Sequence, residues 1–326
     1  MTGIDVRRLL CLTLICLIVA ALPASAQHFQ QIPGSLTQIA VGRAEVWGLN
    51  GSSVYRFNAS TRTFDSVSGS LTQIAVGGGS LLHRDEVWGV NASNKVFHYN
   101  FTTNTLQGVG GSLAQIAVGE GDNDNCHPYE VWGIGPGGNL WRYNYCTSKW
   151  EAHSNPPDMI HIAVSPSGVW GIDASGTAWR FSPDGYGSAQ GATLQQIAVG
   201  VNDVWGVGTD GQLYRYDDVS GPNEFVSVCA GCYGGVGQVA AGGDGVWIVH
   251  TSLQGGFAYI GIARFTFSAG GQSGSGEFFN DQFSINLGPE VVAQIAAGSG
   301  GGVWAITATT EPHSQPVYQV YVFVRP

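Results

Sequence analysis

The sequence predicts an all-β protein: a single β-propeller of four-stranded antiparallel blades. Three observations predict this fold: the composition, a short motif that recurs seven times, and the segments that follow each copy. Of 326 residues, 49 are glycine and ten are tryptophan, whereas only 11% are charged. This composition disfavours long helices, and the 44% hydrophobic content disfavours intrinsic disorder. Many short strands joined by glycine-rich turns fit it best.

The N-terminus has the pattern of a secretory signal peptide. Two arginines precede an apolar run over 9–22, and an Ala-Ser-Ala cleavage site ends at residue 26. The run is too short to span a bilayer. We therefore expect a signal peptide over 1–26, a mature propeller domain over 27–326, and a secreted or periplasmic product with no membrane span. An uncleaved anchor is the alternative.

One motif is repeated along the whole chain. QIAVG and its variants begin at residues 38, 73, 115, 161, 196, 238 and 294. Each copy is followed by a Val-Trp pair, and these tryptophans are Trp47, Trp88, Trp132, Trp170, Trp205, Trp247 and Trp304. A third segment of the type LYRY and a weaker fourth one ending in Gly-x-Leu complete the repeat. Four short segments in about 40 residues predict the strands A to D of one propeller blade, with a stacked solenoid as the alternative.

The two ends of the chain predict how the propeller closes. Segment 28–36 resembles a fourth strand without a blade of its own, and the last repeat ends after its third strand. The N-terminal strand is therefore expected to pair into the last blade, which removes the exposed sheet edges. Seven copies of the first three strands predict seven blades, with six as the alternative.

Four cysteines follow the signal segment, in an oxidising setting where disulfides are the default. The strand order places Cys126 in the A–B loop and Cys146 in the C–D connection of repeat 3, on one face of one blade. This favours a Cys126–Cys146 bridge and leaves Cys229 to pair with Cys232. The alternatives are free thiols and, for the Cys-x-x-Cys at 229–232, redox chemistry or half a zinc site.

The repeat unit resembles the tectonin repeat. The pattern Gly-x-Leu-x-Gln-Ile-Ala-Val-Gly, then Val-Trp-Gly-Val, then Leu-Tyr-Arg-Tyr is clearest over 69–99, 111–143 and 191–216. It covers nearly all of 28–326, more loosely in the last two repeats. The resemblance implies a β-propeller, often of about six blades. It also implies glycan binding, since several tectonin-family proteins are lectins for bacterial lipopolysaccharide or methylated surface glycans.

Two sets of recurring polar residues are candidates for carbohydrate binding, because packing does not require them. The strand-C set is Arg56, His98, Arg142, Arg180 and Arg215, continued by Arg264 and Gln319 in the last two repeats. The B–C turn set is Asn50, Asn91, Asp173 and Asp210. A guanidinium offers a fork of donors to sugar hydroxyls or to the carboxylate of an acidic sugar. The alternative is a structural role, with each donor bound to a carbonyl or an acidic neighbour.

The Val-Trp tryptophans are expected to fill the wedge between blades rather than to bind sugar, because packing requires one identical residue per blade. Acidic residues precede four of these pairs: Glu45, Glu86, Glu130 and Asp203. They are expected to form a solvated rim, paired with Arg43 and Arg84, rather than the facing carboxylate pair of a glycosidase.

The charge and the missing motifs exclude several function classes. The formal net charge is −10 and no Lys/Arg run follows the signal segment, so nucleic acid is not an expected partner. No nucleophile elbow, phosphate loop or metal-ligand trio is present, so neither an enzyme nor a cofactor is expected. Calcium at Asp122 and Asp124 is the alternative, but the segment lacks the glycine and terminal glutamate of a calcium loop.

These observations predict a multivalent lectin for cell-surface or bacterial glycans. Degenerate copies of one site favour it, because weak sites gain by avidity. The alternatives are an extracellular protein-interaction scaffold, which needs one broad patch, and a glycan hydrolase with scattered loop residues.

Overall fold

A computed structural model describes residues 28–80, 83–121, 125–153, 157–165, 168–182, 187–201, 203–217, 223–228, 235–254, 257–265, 290–309 and 315–325. The regular elements in these ranges are all β-strands, so none is a helix long and apolar enough to cross a membrane. The predicted signal peptide, the Cys229–Cys232 bridge and the alternative calcium ligands Asp122 and Asp124 lie outside the described residues.

The strands form successive antiparallel sheets that follow the repeats. The N-terminal strand is β1 His28–Ile32. Repeat 1 contains β2 Gln38–Val41, β3 Val46–Asn50, β4 Ser53–Asn58 and β5 Thr63–Ser70. Repeat 2 contains β6 Gln73–Gly77, β7 Glu86–Val90, β8 Lys95–Asn100 and β9 Thr105–Ser112. Repeat 3 contains β10 Gln115–Glu120, β11 Tyr129–Ile134, β12 Leu140–Asn144 and β13 Lys149–Ala152.

The fourth and fifth repeats share one long strand. Repeat 4 contains β14 Met159–Ser165, β15 Gly168–Asp173, β16 Thr177–Phe181 and the first half of β17 Gly187–Val199. The second half of β17 begins repeat 5, which continues with β18 Val204–Gly208, β19 Leu213–Asp217 and β20 Glu224–Ser227. Repeat 6 contains β21 Gly235–Gly242, β22 Gly245–Gln254 and β23 Phe257–Phe265. Repeat 7 contains β24 Glu290–Ala297, β25 Val303–Thr309 and β26 Tyr318–Val324. The predicted all-β fold with several four-stranded antiparallel sheets is confirmed, but repeats 4 and 5 share one seven-stranded sheet and repeat 6 has three described strands.

The N-terminal strand belongs to the sheet of the last repeat. β1 pairs antiparallel with β26, from His28 opposite Val324 to Ile32 opposite Val320. The sheet order is β1-β26-β25-β24, so β1 supplies the fourth strand that repeat 7 lacks.

The glutamine that begins each QIAVG motif binds the first strand of the next repeat. Gln73 accepts from Ile116 N and donates to Ile116 O, both at 2.9 Å. The side-chain oxygens of five other glutamines accept the equivalent bond from a backbone N of the next repeat: Gln38, Gln115, Gln196, Gln238 and Gln294. Repeat 4 has His161 instead, whose Nδ1 lies 2.9 Å from Gln115 Nε2. Burial lowers the pKa of His161 and outweighs a hydrogen bond to the Ile197 backbone, which acts to raise it. The neutral ring is therefore favoured.

Two glycines of the repeat leave room for close packing. A Cβ at Gly48 would lie 2.4 Å from Leu36 Cδ1, so the Trp-Gly glycine accommodates the leucine of the preceding Gly-x-Leu segment. A Cβ at Gly77, the last residue of QIAVG, would lie 2.3 Å from Val118 O of the next repeat. Neither position could carry a side chain without moving a neighbouring strand.

The Val-Trp tryptophans lie in the seams between successive repeats. Trp47, Trp132 and Trp205 have no exposed surface, and the other four are at most 4% exposed. Seams are filled by an aromatic of the next third strand, as where Tyr99 meets Trp47 with ring centres 4.5 Å apart. One buried indole in each core cluster therefore packs with the aliphatic residues between repeats.

A disulfide joins Cys126 to Cys146, the pairing that the strand order favours. The bond ties the loop before β11 to the turn after β12, and Tyr145 N donates to Cys126 O at 2.9 Å beside it. It therefore fastens two loops of one blade rather than the core.

Candidate functional site

The strand-C cations pair with the acidic residues that precede the Val-Trp pairs. In repeat 1, Arg56 donates from Nε and Nη2 to the two oxygens of Glu45, at 2.8 and 2.7 Å. Arg142 binds Glu130 through the same two atoms, and Arg215 Nη2 lies 2.9 Å from Asp203 Oδ1. His98 Nε2 lies 2.5 Å from Glu86 Oε2. The hydrogen bond to Glu45 raises the pKa of Arg56, so the pair stays ionised.

In repeats 1 and 3 the tryptophan of the same repeat joins the pair, and we call these two groups the seam clusters. Trp47 Nε1 donates to Glu45 at 3.2 Å and Trp132 Nε1 to Glu130 at 2.5 Å. The arginine lies over the indole, with 5.8 Å from the guanidinium carbon to the ring centre in both repeats. The strand register causes this arrangement, because Arg56 stands directly opposite Trp47.

The expected pairing of the acidic residues with Arg43 and Arg84 is wrong. The acidic residues bind the strand-C cations of their own repeat rather than Arg43 and Arg84, because the strand register brings the A–B loop against strand C. The acid that binds the Arg43 segment is the buried Asp85, which accepts from the backbone N of Arg43, Ala44 and Glu45.

The expected place of Gln319 in the strand-C series is also wrong. Val322 stands opposite Trp304, whereas Gln319 stands opposite Thr307. Repeat 7 therefore has an aliphatic residue where the other repeats have a cation.

Three of the four B–C turn residues, Asn91, Asp173 and Asp210, hold their own turns. Asn91 Oδ1 accepts from the backbone N of Ser93 and Lys95, both at 3.0 Å. Asp173 Oδ1 accepts from the backbone N of Ser175 and Thr177 at 2.8 and 2.9 Å. Burial acts to raise the pKa of Asp173, but these bonds and those from the Ser175 hydroxyl and the Trp179 indole outweigh it, and the pKa is lowered.

The structure separates the two candidate sets. The cations lie where strand C approaches the A–B loops, whereas the turn residues lie at the opposite ends of the same strands. In repeat 1, Asn50 stands opposite Ser53 and Trp47 opposite Arg56. Three residues of strand, about 10 Å, separate the two places. One sugar ring cannot contact both sets in one blade.

An aromatic ring that the sequence analysis missed accompanies the turn residues. The first aromatic of the LYRY segment stands opposite the Trp-Gly glycine and is half-buried in five repeats; these rim aromatics are Tyr55, Phe97, Trp141, Trp179 and Tyr214. Trp179 Nε1 and the Tyr214 hydroxyl donate to Asp173 and Asp210, both at 2.8 Å. The signal was available, since these rings alternate with the strand-C cations. Rings with one exposed face beside oriented carboxylates can stack on a sugar and accept from its hydroxyls.

A small cavity lies where the first strands end. It measures about 150 Å³ and is lined by residues from all seven repeats, among them Val41, Gly77, Gly119, Ser165, Gly200, Gly242 and Ser299. A ligand pocket usually has a volume of about 300–1,000 Å³, so the cavity is small for a sugar.

Solved structures with similar folds are β-propeller proteins of low identity. YCF48 bound to D1 peptide is 14% identical, has a TM-score of 0.59 and covers 93% of this chain and 99% of its own. YCF48 from Cyanidioschyzon merolae is 13% identical, with a TM-score of 0.59 and coverage of 91% and 98%. Yeast RCC1 (Prp20) bound to Kap60 is 12% identical, with a TM-score of 0.55 and coverage of 89% and 80%. None of the curated proteins compared with this chain matches it.

These likenesses establish the fold: the chain is an all-β protein of the β-propeller class. The Tectonin domain family matches residues 20–155 and 127–255, which together make up most of the chain. The chain belongs to the tectonin family. The matches end within repeat 6, where the motif becomes looser.

Proposed function

We propose that the protein is a secreted or periplasmic multivalent lectin that binds glycans at the rim aromatics. The observation that carries the proposal is the repetition, on one face, of a half-buried ring beside the B–C turn of its own repeat. Repeats 4 and 5 are the most complete sites, because Trp179 and Tyr214 are each held by a carboxylate of the turn. Membership of the tectonin family supports the proposal.

The chemistry of these sites favours binding over catalysis. The lowered pKa of Asp173 keeps it ionised, whereas a glycosidase needs a general acid whose pKa is raised. The oxygens of Asp173 also accept four hydrogen bonds, three from Ser175 and Thr177 of its turn and one from the Trp179 indole. The carboxylate therefore orients Trp179. We propose no enzymatic activity.

The surface disfavours a protein-docking scaffold. Within the described residues, only three large hydrophobic side chains are exposed: Ile160, Val226 and Val317. They belong to three different repeats, whereas a docking surface of standard size needs about 800 Å² of continuous contact per partner.

The number of sites depends on the arrangement of the repeats, which we propose to be a closed ring of seven blades. The pairing of β1 with β26 supports closure, as do the bonds from Gln294 in repeat 7 to Ile39 in repeat 1. A ring presents the rim aromatics on one rim, where weak sites act together on a glycan-covered surface.

Glycan-array binding by the purified protein tests this function. The discriminating variant is Trp179→Ala with Tyr214→Ala, which removes the two best-held rings. Trp150→Ala is the control, since this half-buried tryptophan lies on strand D and its indole binds Gly110 O instead of a turn carboxylate.

We expect the wild type and the control to retain the same glycans. The double variant should lose about tenfold or more in retention, because losing two sites reduces avidity multiplicatively. Equal retention by the double variant, with its fold intact by circular dichroism, would place the glycan site elsewhere. Retention of no glycan by the wild type would refute the function.

A further inference from the structure

Repeat 4 breaks the pattern of the seam clusters. Glycine 168 occupies the position of Glu45, Glu86 and Glu130, two residues before the tryptophan. Its φ of 122° is one that L side chains rarely adopt, so the backbone itself disfavours a carboxylate there.

The two donors of the cluster remain in place. Trp170 is 1% exposed, and its Nε1 has no hydrogen-bond partner among the described residues. The Arg180 guanidinium carbon lies 5.6 Å from the Trp170 ring centre, close to the 5.8 Å in repeats 1 and 3. Arg180 is exposed, and none of the ion pairs between described residues includes it.

We infer that repeat 4 binds the carboxylate of a small ligand in the place of the missing glutamate. In repeats 1 and 3 one carboxylate accepts from both the indole Nε1 and the arginine Nε, so the same two donors in repeat 4 converge on one empty position. A Cβ at Gly168 would make an ordinary van der Waals contact with Trp170 Nε1 at 3.6 Å, so no described residue blocks the position beside the indole. A bound carboxylate would supply the acceptor that the buried Nε1 lacks.

The ligand class is a carboxylate-bearing molecule, either an acidic sugar or a simple organic acid. Arg180 directly follows the rim aromatic Trp179 on strand C, so the two side chains point to opposite faces of the sheet, and the site does not depend on the proposed lectin function. Glucuronate, glucose and acetate separate the two sources: glucose has the ring without the charge, and acetate has the charge without the ring.

Titration followed by the indole N–H signals in a proton–nitrogen correlation spectrum tests the site. Glucuronate should shift one of the ten tryptophan signals, and that signal should be absent in Trp170→Phe. Arg180→Gln should weaken binding at least about tenfold, because it removes a charged hydrogen-bond donor. Arg215→Gln makes the same charge change in the next repeat, where Asp203 already binds the arginine, and should change affinity by less than about twofold.

Equal shifts with acetate and glucuronate would assign the site to carboxylates in general, and tighter binding of glucuronate would assign it to an acidic sugar. Failure of glucuronate to shift any indole signal would overturn the inference, as would an equal shift with glucose. An equal loss in Arg215→Gln and Arg180→Gln would also overturn it. A protein that retains no glycan on an array yet passes this titration would refute the lectin proposal alone.

Discussion

Gln294 and Ile39, 255 positions apart in the chain, are joined by two hydrogen bonds. Ile39 N donates to Gln294 Oε1 at 2.8 Å, and Gln294 Nε2 donates to Ile39 O at 3.0 Å. Similar glutamine bonds link other successive repeats, and in each of them a side-chain amide binds backbone groups of the next first strand; repeat 4 has His161 at this position instead.

Replacing Gln294 with alanine should lower the free energy of unfolding by about 1–3 kcal/mol, because the part-buried peptide group of Ile39 loses both partners. Chemical denaturation measures the change. Gln31→Ala is the control, since its exposed amide binds Gln319 alone among the described residues, and it should cost under about 0.5 kcal/mol. Equal costs for the two variants would contradict a role for Gln294 between the first and last repeats.

The histidine at position 161 should make stability depend on pH. Its pKa is lowered in the folded state, so the unfolded chain binds more protons below about pH 6.5, and stability should fall as the pH falls through that range. His161→Gln restores the residue of the other six repeats and should reduce this loss. His153 and His250, whose pKa values burial also lowers, should account for the remainder. Melting temperatures from pH 8 to 5 measure the effect, and identical profiles for variant and wild type would rule it out.

Asp85 should be the most sensitive acidic residue of the first two repeats. It is 1% exposed and accepts backbone N–H bonds from Arg43, Ala44, Glu45 and Gly79. Asp85→Ala leaves these donors unpaired and should cost about 3 kcal/mol or more. Asp65→Ala, at an exposed bond to Asn58, should cost under about 0.5 kcal/mol in the same denaturation series. Comparable costs would show that the Asp85 bonds do not stabilise the fold.

The Cys126–Cys146 disulfide closes a loop of about 20 residues, and its removal should cost about 2–4 kcal/mol. Cys126→Ser with Cys146→Ser, compared with the wild type under non-reducing conditions, measures this cost. The folded variant should keep the far-ultraviolet spectrum of the wild type, because the bond joins loops and not strands. Loss of that spectrum in the variant at 25 °C would contradict this placement.

The fold could be predicted from the sequence because each recurring residue makes the same contact in successive repeats. Gln73 binds the next repeat, Trp88 fills a seam, and Gly89 leaves room for a leucine. The same packing requirements recur along the chain. Repetition thus made packing requirements visible in one chain. The pairing of the N-terminal strand with the last repeat was predictable for a related reason, since both ends lacked a partner strand.

The partners of the strand-C cations were harder to predict. Glu45 and Arg56 are 11 positions apart, and only the register between β3 and β4 brings them together. In repeat 7 three positions of the segment 317–324 follow an aromatic residue, and pairing with β25 places Val322 rather than Gln319 opposite Trp304. The rim aromatics were overlooked because an alternating strand alone does not reveal which face stays open.

The central claim is that glycans bind at the rim aromatics. A crystal structure of the protein soaked with the best-retained glycan of an array tests it most directly. We predict a sugar ring stacked on Trp179 or Tyr214, with hydroxyls bound to Asp173 or Asp210. A sugar bound at the seam clusters or in the cavity where the first strands end, with these rings uncovered, would contradict it.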